Sequence, residues 1–274
     1  MARISAYVRA CHPEPTAAVT ALATALALSA GRGLGSLAVA GAFLSGQLSV
    51  GWSNDWIDAE RDRGAGRTDK PVARADVSAS ALRTAALVAV TACVPLSLAM
   101  GLGAGVLHLL AVAAAWGYNA RLKATVLSWA PYALAFGAVP SIITLGLPGN
   151  PWAPAWATVA GALLGVGAHL ANVLPDIEAD LAHGIRGLPH RLGRSAASAV
   201  SVVLLLAATT SLVLGPGEPD LVRSSALGLA VVVSALGLYA GHRPGSHAVF
   251  RAVLVVAVVD VALLVASGSS LAPT

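Results

Sequence analysis

The chain has 274 residues, of which 57% are hydrophobic and 11% charged, with a formal net charge of +4. A soluble domain carries roughly 25% charged residues, so the composition excludes one and points to a polytopic membrane protein. Two cysteines, Cys11 and Cys93, make neither a disulfide framework nor a CxxC metal site and are given no role.

In chain order, Arg3 and Arg9 precede Pro13 and Pro15, with no cleavage signature after the first apolar run, so no cleaved signal peptide is expected. Apolar stretches then recur at residues 16–31, 34–53, 81–102, 105–118, 126–146, 155–174, 197–215, 221–241 and 249–268. Most approach the roughly 20 residues that cross the hydrocarbon layer as a helix. The expectation is an all-α bundle of nine transmembrane helices, one domain over residues 1–274. With the N-terminus in the cytoplasm, 15 of the 17 Lys and Arg residues lie on the inner side, leaving Arg32 and Arg223 outside, as the positive-inside rule requires. The long polar connections, 54–80 and 175–195, then both face the cytoplasm. The positive charge is therefore a membrane-face feature, suited to head groups or an anionic substrate, and no nucleic-acid partner is expected. Trp116, Tyr118, Trp129 and Tyr132 near one boundary, with Trp152 and Trp156 near the other, read as an aromatic belt.

The first polar connection opens NDWIDAERDRGAGRTDKP, residues 54–71, and it comes twice. Shifted by 118 positions, Asn54, Asp58, Glu60, Asp62, Gly66 and Pro71 fall on Asn172, Asp176, Glu178, Asp180, Gly184 and Pro189. This register predicts two related halves, each bringing one acidic cluster (54–62 and 172–180) to a shared site. Asp58 and Asp62, like Asp176 and Asp180, are four apart, so each pair shares a face wherever the helix continues. Like charges so placed repel, and a cation is the usual remedy. Oxygen ligands without His or Cys favour Mg²⁺, which is held by one or two carboxylates together with substrate phosphate. Two clusters imply two Mg²⁺ ions on one polyanion. Arg61, Arg63, Arg67 and Lys70 in the first half, and Arg186, Arg191 and Arg194 in the second, offer further phosphate contacts. Glu60 and Glu178 lie off the aspartate face and are read as salt-bridged or solvated.

NDWIDAERD with GRTDKP resembles the first signature of the UbiA superfamily of intramembrane prenyltransferases, DIEADLAHGIRGLP resembles the second, and YNARLK (118–123) the Tyr and Lys element between them. The resemblance implies nine helices with cytoplasmic motif loops after the second and sixth. It implies a Mg²⁺-dependent enzyme that ionises a polyprenyl diphosphate and transfers the prenyl group to a small-molecule acceptor, aromatic or lipid-like. Carried over, Asn54, Asp55, Asp58 and Asp62 form one metal and diphosphate site, and Asp176 and Asp180 the other. Arg67 and Lys70 bind the departing diphosphate, and Tyr118 and Lys123 sit over it. Tyr118 and Lys123 are five apart instead of four, which leaves Arg121 and Lys123 as alternatives for the diphosphate contact. Asn172 keeps the amide place of the second cluster, whereas Val173 and Pro175 replace polar residues. His169, one turn before Asn172, stands near where some aromatic-acceptor members carry an acid.

Gln47, seven before Asn54, shares its face and is expected to line the cavity. His108 is read as a packed histidine. Asp260, mid-span, is either a functional carboxylate or one that pairs with His108 or with another helix. The nearest rival activity is a UbiA-type terpene cyclase, which needs no acceptor. A cytidine-diphosphate-alcohol phosphotransferase would need an Asp-Gly-x-x-Ala-Arg run that is absent, and a transporter would carry its charge near the midplane. Ala, Val and Arg usage points to a GC-rich bacterial genome and a plasma membrane.

Overall fold

The computed structural model describes residues 2–68, 70–182, 184–241 and 248–271. Among these the chain is all-helical, with helices α1 (Ala2–Ala10), α2 (Pro13–Ser29), α3 (Gly35–Ile57), α4 (Ala59–Gly64), α5 (Ala79–Leu98) and α6 (Leu102–Ala120). They are followed by α7 (Ala130–Thr144), α8 (Ala155–Val173), α9 (Ile177–Ala182), α10 (Leu188–Leu214), α11 (Leu221–Gly241) and α12 (Ala248–Ala266). Each of the nine apolar stretches coincides with one long helix. Of the additional short helices, α1 precedes the first apolar run, and α4 and α9 lie in segments read from the sequence as polar connections.

Local chemistry sets the ends. Ser78 caps α5 by accepting from the Ala81 N–H at 3.1 Å. Proline in the first turn, where its missing N–H costs nothing, opens α2, α7 and α10. The start of α10 precedes the apolar run by nine residues, because a kink at Gly193 (φ 76°) lets the basic stretch 188–194 wind before the buried stretch begins.

Among the described residues, six helices are long and apolar enough to cross a membrane: α5, α6, α8 with its following turn, α10, α11 and α12. Large apolar side chains such as Leu37, Leu110, Val203, Leu236 and Val258 stay exposed on the outside, as a lipid-facing surface requires. Successive long helices pack on one another, and α12 returns to touch α2, closing the bundle. A core of Leu26, Val39, Phe43, Ile142, Leu212 and Leu264 ties one end together. At the other, Ala6 and Ala10 of α1 pack with Ala59, Val72, Val77 and Leu82. On α8, Gly161 and Gly165 leave room for the carbonyls of Phe136 and Tyr132, the close helix packing that small residues permit. Four residues beyond Gly165, His169 is thereby brought against Tyr132.

Candidate active site

Helix α3 ends at Ile57 and α4 begins at Ala59, with Asp58 the one residue between them. Asp58 N–H donates to Asn54 O at 3.0 Å, and Asp62 N–H to Asp58 O at 2.8 Å. Asn54, Asp58 and Asp62 therefore share one face, with Asp58 and Asp62 buried. Buried carboxylates need partners. The Lys123 ammonium, from the 3₁₀ turn Leu122–Ala124, donates to Asp58 Oδ1, and Arg61 reaches Asp58 Oδ2 at 2.7 Å and Asp62 Oδ1 at 3.6 Å. Lys70 donates to Asp55 Oδ1 at 2.7 Å. Burial pushes the Asp62 carboxyl up, opposed by Lys70 and reinforced by Asp58; burial pulls the Lys123 ammonium down, opposed by Asp58.

Between the alternatives left by the spacing, Lys123 turns inward while Arg121, at the C-cap of α6, is exposed. Arg67 is half-buried after α4, its N–H on Asp62 O at 3.1 Å. Gln47 is half-buried on α3.

The second cluster is built differently. Pro175 has no N–H to continue α8, which ends at Val173 in a 3₁₀ turn, Leu174–Asp176. Asn172 and Asp176 are exposed. Asp180 faces His190 Nε2 at 3.1 Å, and Glu178 pairs with Arg194 at 2.6 Å on the surface, while Glu60 is exposed. Leu181, Arg186, His190 and Arg191 line a cavity of about 250 Å³ beside it. A larger groove, about 770 Å³, lies among Tyr7, Ser45, Trp52, Thr84 and Val88 and touches none of these acids.

An aromatic group lies between the clusters. Tyr118 is within electrostatic reach of both Asp58 and Asp180. Its ring meets Tyr132 edge-on at 5.1 Å and His169 edge-on at 5.6 Å, while His169 stacks on Tyr132 at 4.5 Å. His169 Nε2 is 3.1 Å from Ser128 Oγ, which also accepts from the Leu188 N–H at 3.0 Å. Ser128 thus ties α8, the 121–129 turn and the start of α10 together.

Two residues outside the sequence-derived set belong here: Ser128, and His12, whose Nε2 lies 3.0 Å from Asp55 Oδ1. Their partners are tens of residues away, and the one available signal was their position beside a proline-marked span. Asp260 accepts from the Thr209 hydroxyl at 2.6 Å, whereas His108 bonds Ser97 at 2.8 Å and lies against Phe43. Of the two pairings expected for Asp260, the one to another helix is found.

Among the described residues, no three His, Cys, Asp or Glu side chains converge as a metal site on their own; the acids are turned onto Lys, Arg and His. The donor set nevertheless suits a hard cation. Asn54 Oδ1, Asp55 Oδ2 and Asp62 Oδ2 are buried without a hydrogen-bond partner, and all are oxygens.

The profile of the UbiA prenyltransferase family matches residues 15–267. Among solved structures, a digeranylgeranylglyceryl phosphate synthase is similar at TM-score 0.70 and 15% identity, covering 99% of this chain and 100% of the other. A UbiA homologue from Aeropyrum pernix K1 follows at 0.69 and 18%, covering 89% and 97%. One from Archaeoglobus fulgidus, bound to GPP and Mg²⁺, gives 0.65 and 17%, covering 95% and 99%. No curated protein sequence matches the chain.

Proposed function

The chain belongs to the UbiA prenyltransferase family, and from that premise we propose that it is a Mg²⁺-dependent intramembrane prenyltransferase acting on a polyprenyl diphosphate. The observation that carries the reading is the buried face Asn54–Asp58–Asp62, with unpartnered oxygens at Asn54 and Asp62, edged by Lys70, Lys123 and Arg61. Tyr118 links it electrostatically to Asp180 of the second half. The solved Archaeoglobus fulgidus homologue with GPP and Mg²⁺ adds support at the level of fold.

Asn54, Asp58 and Asp62, with Asp176 and Asp180 opposite, would hold two magnesium ions. The chemistry magnesium supplies there is neutralisation of the diphosphate and of the charge that grows on it as the allylic C–O bond breaks. The chain's own groups do the rest. Lys123, Lys70, Arg61 and Arg67 are cations already held at the site, and they favour the electron pair leaving on the diphosphate. Tyr118, Tyr132 and His169 present ring faces and edges on the inner side, where an allylic cation is stabilised by π density. The apolar bundle keeps water from that cation. The acceptor's nucleophilic atom then bonds the allylic carbon, and its proton leaves to water or to the released diphosphate. Asn172, His169 and Gln47 border the space in which the acceptor is placed.

The nine long helices are read as nine spans, forming one domain over residues 1–274. The helices α2 and α7 are short, about 25 and 22 Å at 1.5 Å per residue, and short segments are accommodated by local thinning of the bilayer; α3 is long enough, its apolar run diluted by Ser, Gly and Gln47. The positive-inside balance supports a cytoplasmic N-terminus and active site, and the Ala, Val and Arg usage supports a bacterial plasma membrane.

The test is release of diphosphate and product from geranylgeranyl diphosphate by purified protein, with Mg²⁺, over a panel of aromatic, quinone-type and glycerol-type acceptors. Acceptor-dependent prenylation is expected. A cyclic hydrocarbon or alcohol formed without acceptor would replace the transferase reading with a cyclase.

A further inference from the structure

One carboxylate oxygen at the motif end serves two bases from separate segments. Asp55 is 1% exposed. Its Oδ1 accepts from Lys70 Nζ at 2.7 Å and lies 3.0 Å from His12 Nε2, and these two nitrogens are 3.1 Å apart. Among the described residues, Asp55 and His12 are the hydrogen-bond partners of the Lys70 ammonium. An ammonium has three N–H donors, so at least one is left to point elsewhere.

The N-terminal segment is built to bring His12 there. The Cys11 carbonyl passes so close over Gly51 that any side chain at 51 would collide with it. Thr16 Oγ1 donates to that same carbonyl at 2.8 Å, and Trp52 Nε1 donates to the Tyr7 carbonyl at 2.9 Å. His12 itself has φ 55°, a left-handed conformation uncommon outside glycine. A backbone held in that region is over-determined by its surroundings.

The second half provides an internal comparison. In the 118-residue register, Val173 stands at the place of Asp55 and Leu188 at that of Lys70. Both members are replaced by apolar residues together, while Asn54, Asp58 and Asp62 keep their counterparts. Asp55 and Lys70 therefore behave as one unit, separable from the face that carries the repeated acids.

We propose that His12 is a positioning residue for Lys70, with Asp55 as the buried anchor of both, and that this socket fixes the Lys70 ammonium for the diphosphate of the substrate. It rests on the reading of the substrate as a prenyl diphosphate. A lysine side chain free in solvent loses rotamer freedom when it grips an anion; one already clamped loses less, and the ligand binds more tightly. Asp55 thus contributes through Lys70, and the N-terminal segment becomes part of the first site.

The experiment uses full-length protein in nanodiscs. Binding of inorganic diphosphate with Mg²⁺ is followed by calorimetry, KM and kcat are measured with geranylgeranyl diphosphate, and the rate at which an amine-reactive reagent labels Lys70 is read by mass spectrometry. His12→Ala is expected to weaken diphosphate binding and raise KM by about tenfold, the scale of one hydrogen bond to a charged group, with kcat changed by less than about twofold. His12→Asn, which tolerates the left-handed backbone but is too short to reach Lys70, is expected to match it, so a backbone effect is separated from loss of the imidazole. His12→Gln is expected to restore most of the loss. Arg9→Ala removes only an exposed pair with Asp76 on the same segment and is expected to leave binding within about twofold. In a Lys70→Ala background the His12 effect is expected to vanish. An undiminished His12 effect in that background, or His12→Ala binding like wild type, overturns the proposal. If wild type binds no diphosphate, the substrate reading fails on its own account and labelling decides the socket: severalfold faster modification of Lys70 in His12→Ala and His12→Asn upholds it, and unchanged labelling removes it.

Discussion

The two acidic clusters share a spacing and differ in almost everything that determines readiness. In the first, two helical hydrogen bonds link Asn54, Asp58 and Asp62 across the junction of α3 and α4, and the carboxylates are buried against Lys70, Lys123 and Arg61. In the second, Pro175 interrupts the helix, Asn172 and Asp176 face outward, and the one acid held by a buried partner is Asp180 on His190. The repeat places the acids; one proline and the supply of nearby bases decide whether they are enclosed or open. On the proposed reading, the closed half meets the substrate already ordered, whereas the open half is drawn in by it.

Matched substitutions break this comparison most directly. Asp58→Asn is expected to lower diphosphate release by about 10³-fold, and also to destabilise the fold by about 3–5 kcal/mol, because Lys123 and Arg61 lose a buried counter-charge. Asp176→Asn is expected to lose activity on a similar scale with a stability change within about 0.5 kcal/mol, as for an exposed side chain. Thermal unfolding and diphosphate release, measured on both, decide it; equal destabilisation would mean that the halves are not differently enclosed. Next in size, Lys123→Ala is expected to cost about 10²-fold in kcat/KM, against less than about threefold for Arg121→Ala, its exposed neighbour.

The same contrast explains what the sequence could disclose. Apolar stretches announce helices because hydrophobic length is a local property, and the acids stand out because charge is scarce in this chain. The inward turn of Lys123 depends on a 3₁₀ turn that positions 118–123 do not reveal. Helix α1 is short, and it is fixed by Val72 and Val77 of a distant loop. His12 and Ser128 gain their roles from partners on other segments. Arg32, read as a loop base, donates to the Met100 carbonyl at 2.9 Å at the end of α5, a helix-end contact that no local pattern signals.

A smaller effect tests whether Pro175 causes the asymmetry. Pro175→Ala restores an N–H able to reach the Ala171 carbonyl, extending α8 toward Asp176. The expected outcome is a rise of about 2–4 °C in melting temperature with a shift in KM of about threefold, and no change in the protection of Lys70 from labelling. A KM equal to that of wild type would mean that the open state of the second cluster has another cause.

The smallest expected effect concerns Glu178, which shares the repeat with Glu60 but lies on the surface with Arg194, the two side chains 69% and 51% exposed. The Arg194 hydrogen bond holds the Glu178 carboxyl below its ordinary value of 4.5. A depressed carboxyl stabilises the folded state above that ordinary value and loses the contribution as pH falls through the lowered one. Near neutral pH, Glu178→Gln is therefore expected to lower the melting temperature by less than about 1 °C, since exposed pairs are screened. Below that lowered value the variant and wild type converge, because the carboxyl is then protonated in both states. Activity stays within about twofold, because Glu178 lies off the face that carries Asp176 and Asp180. A loss on the scale of Asp176→Asn would place Glu178 among the groups that hold the diphosphate, and the second half would then be acting through an acid that the first half, with Glu60 exposed, leaves in solvent.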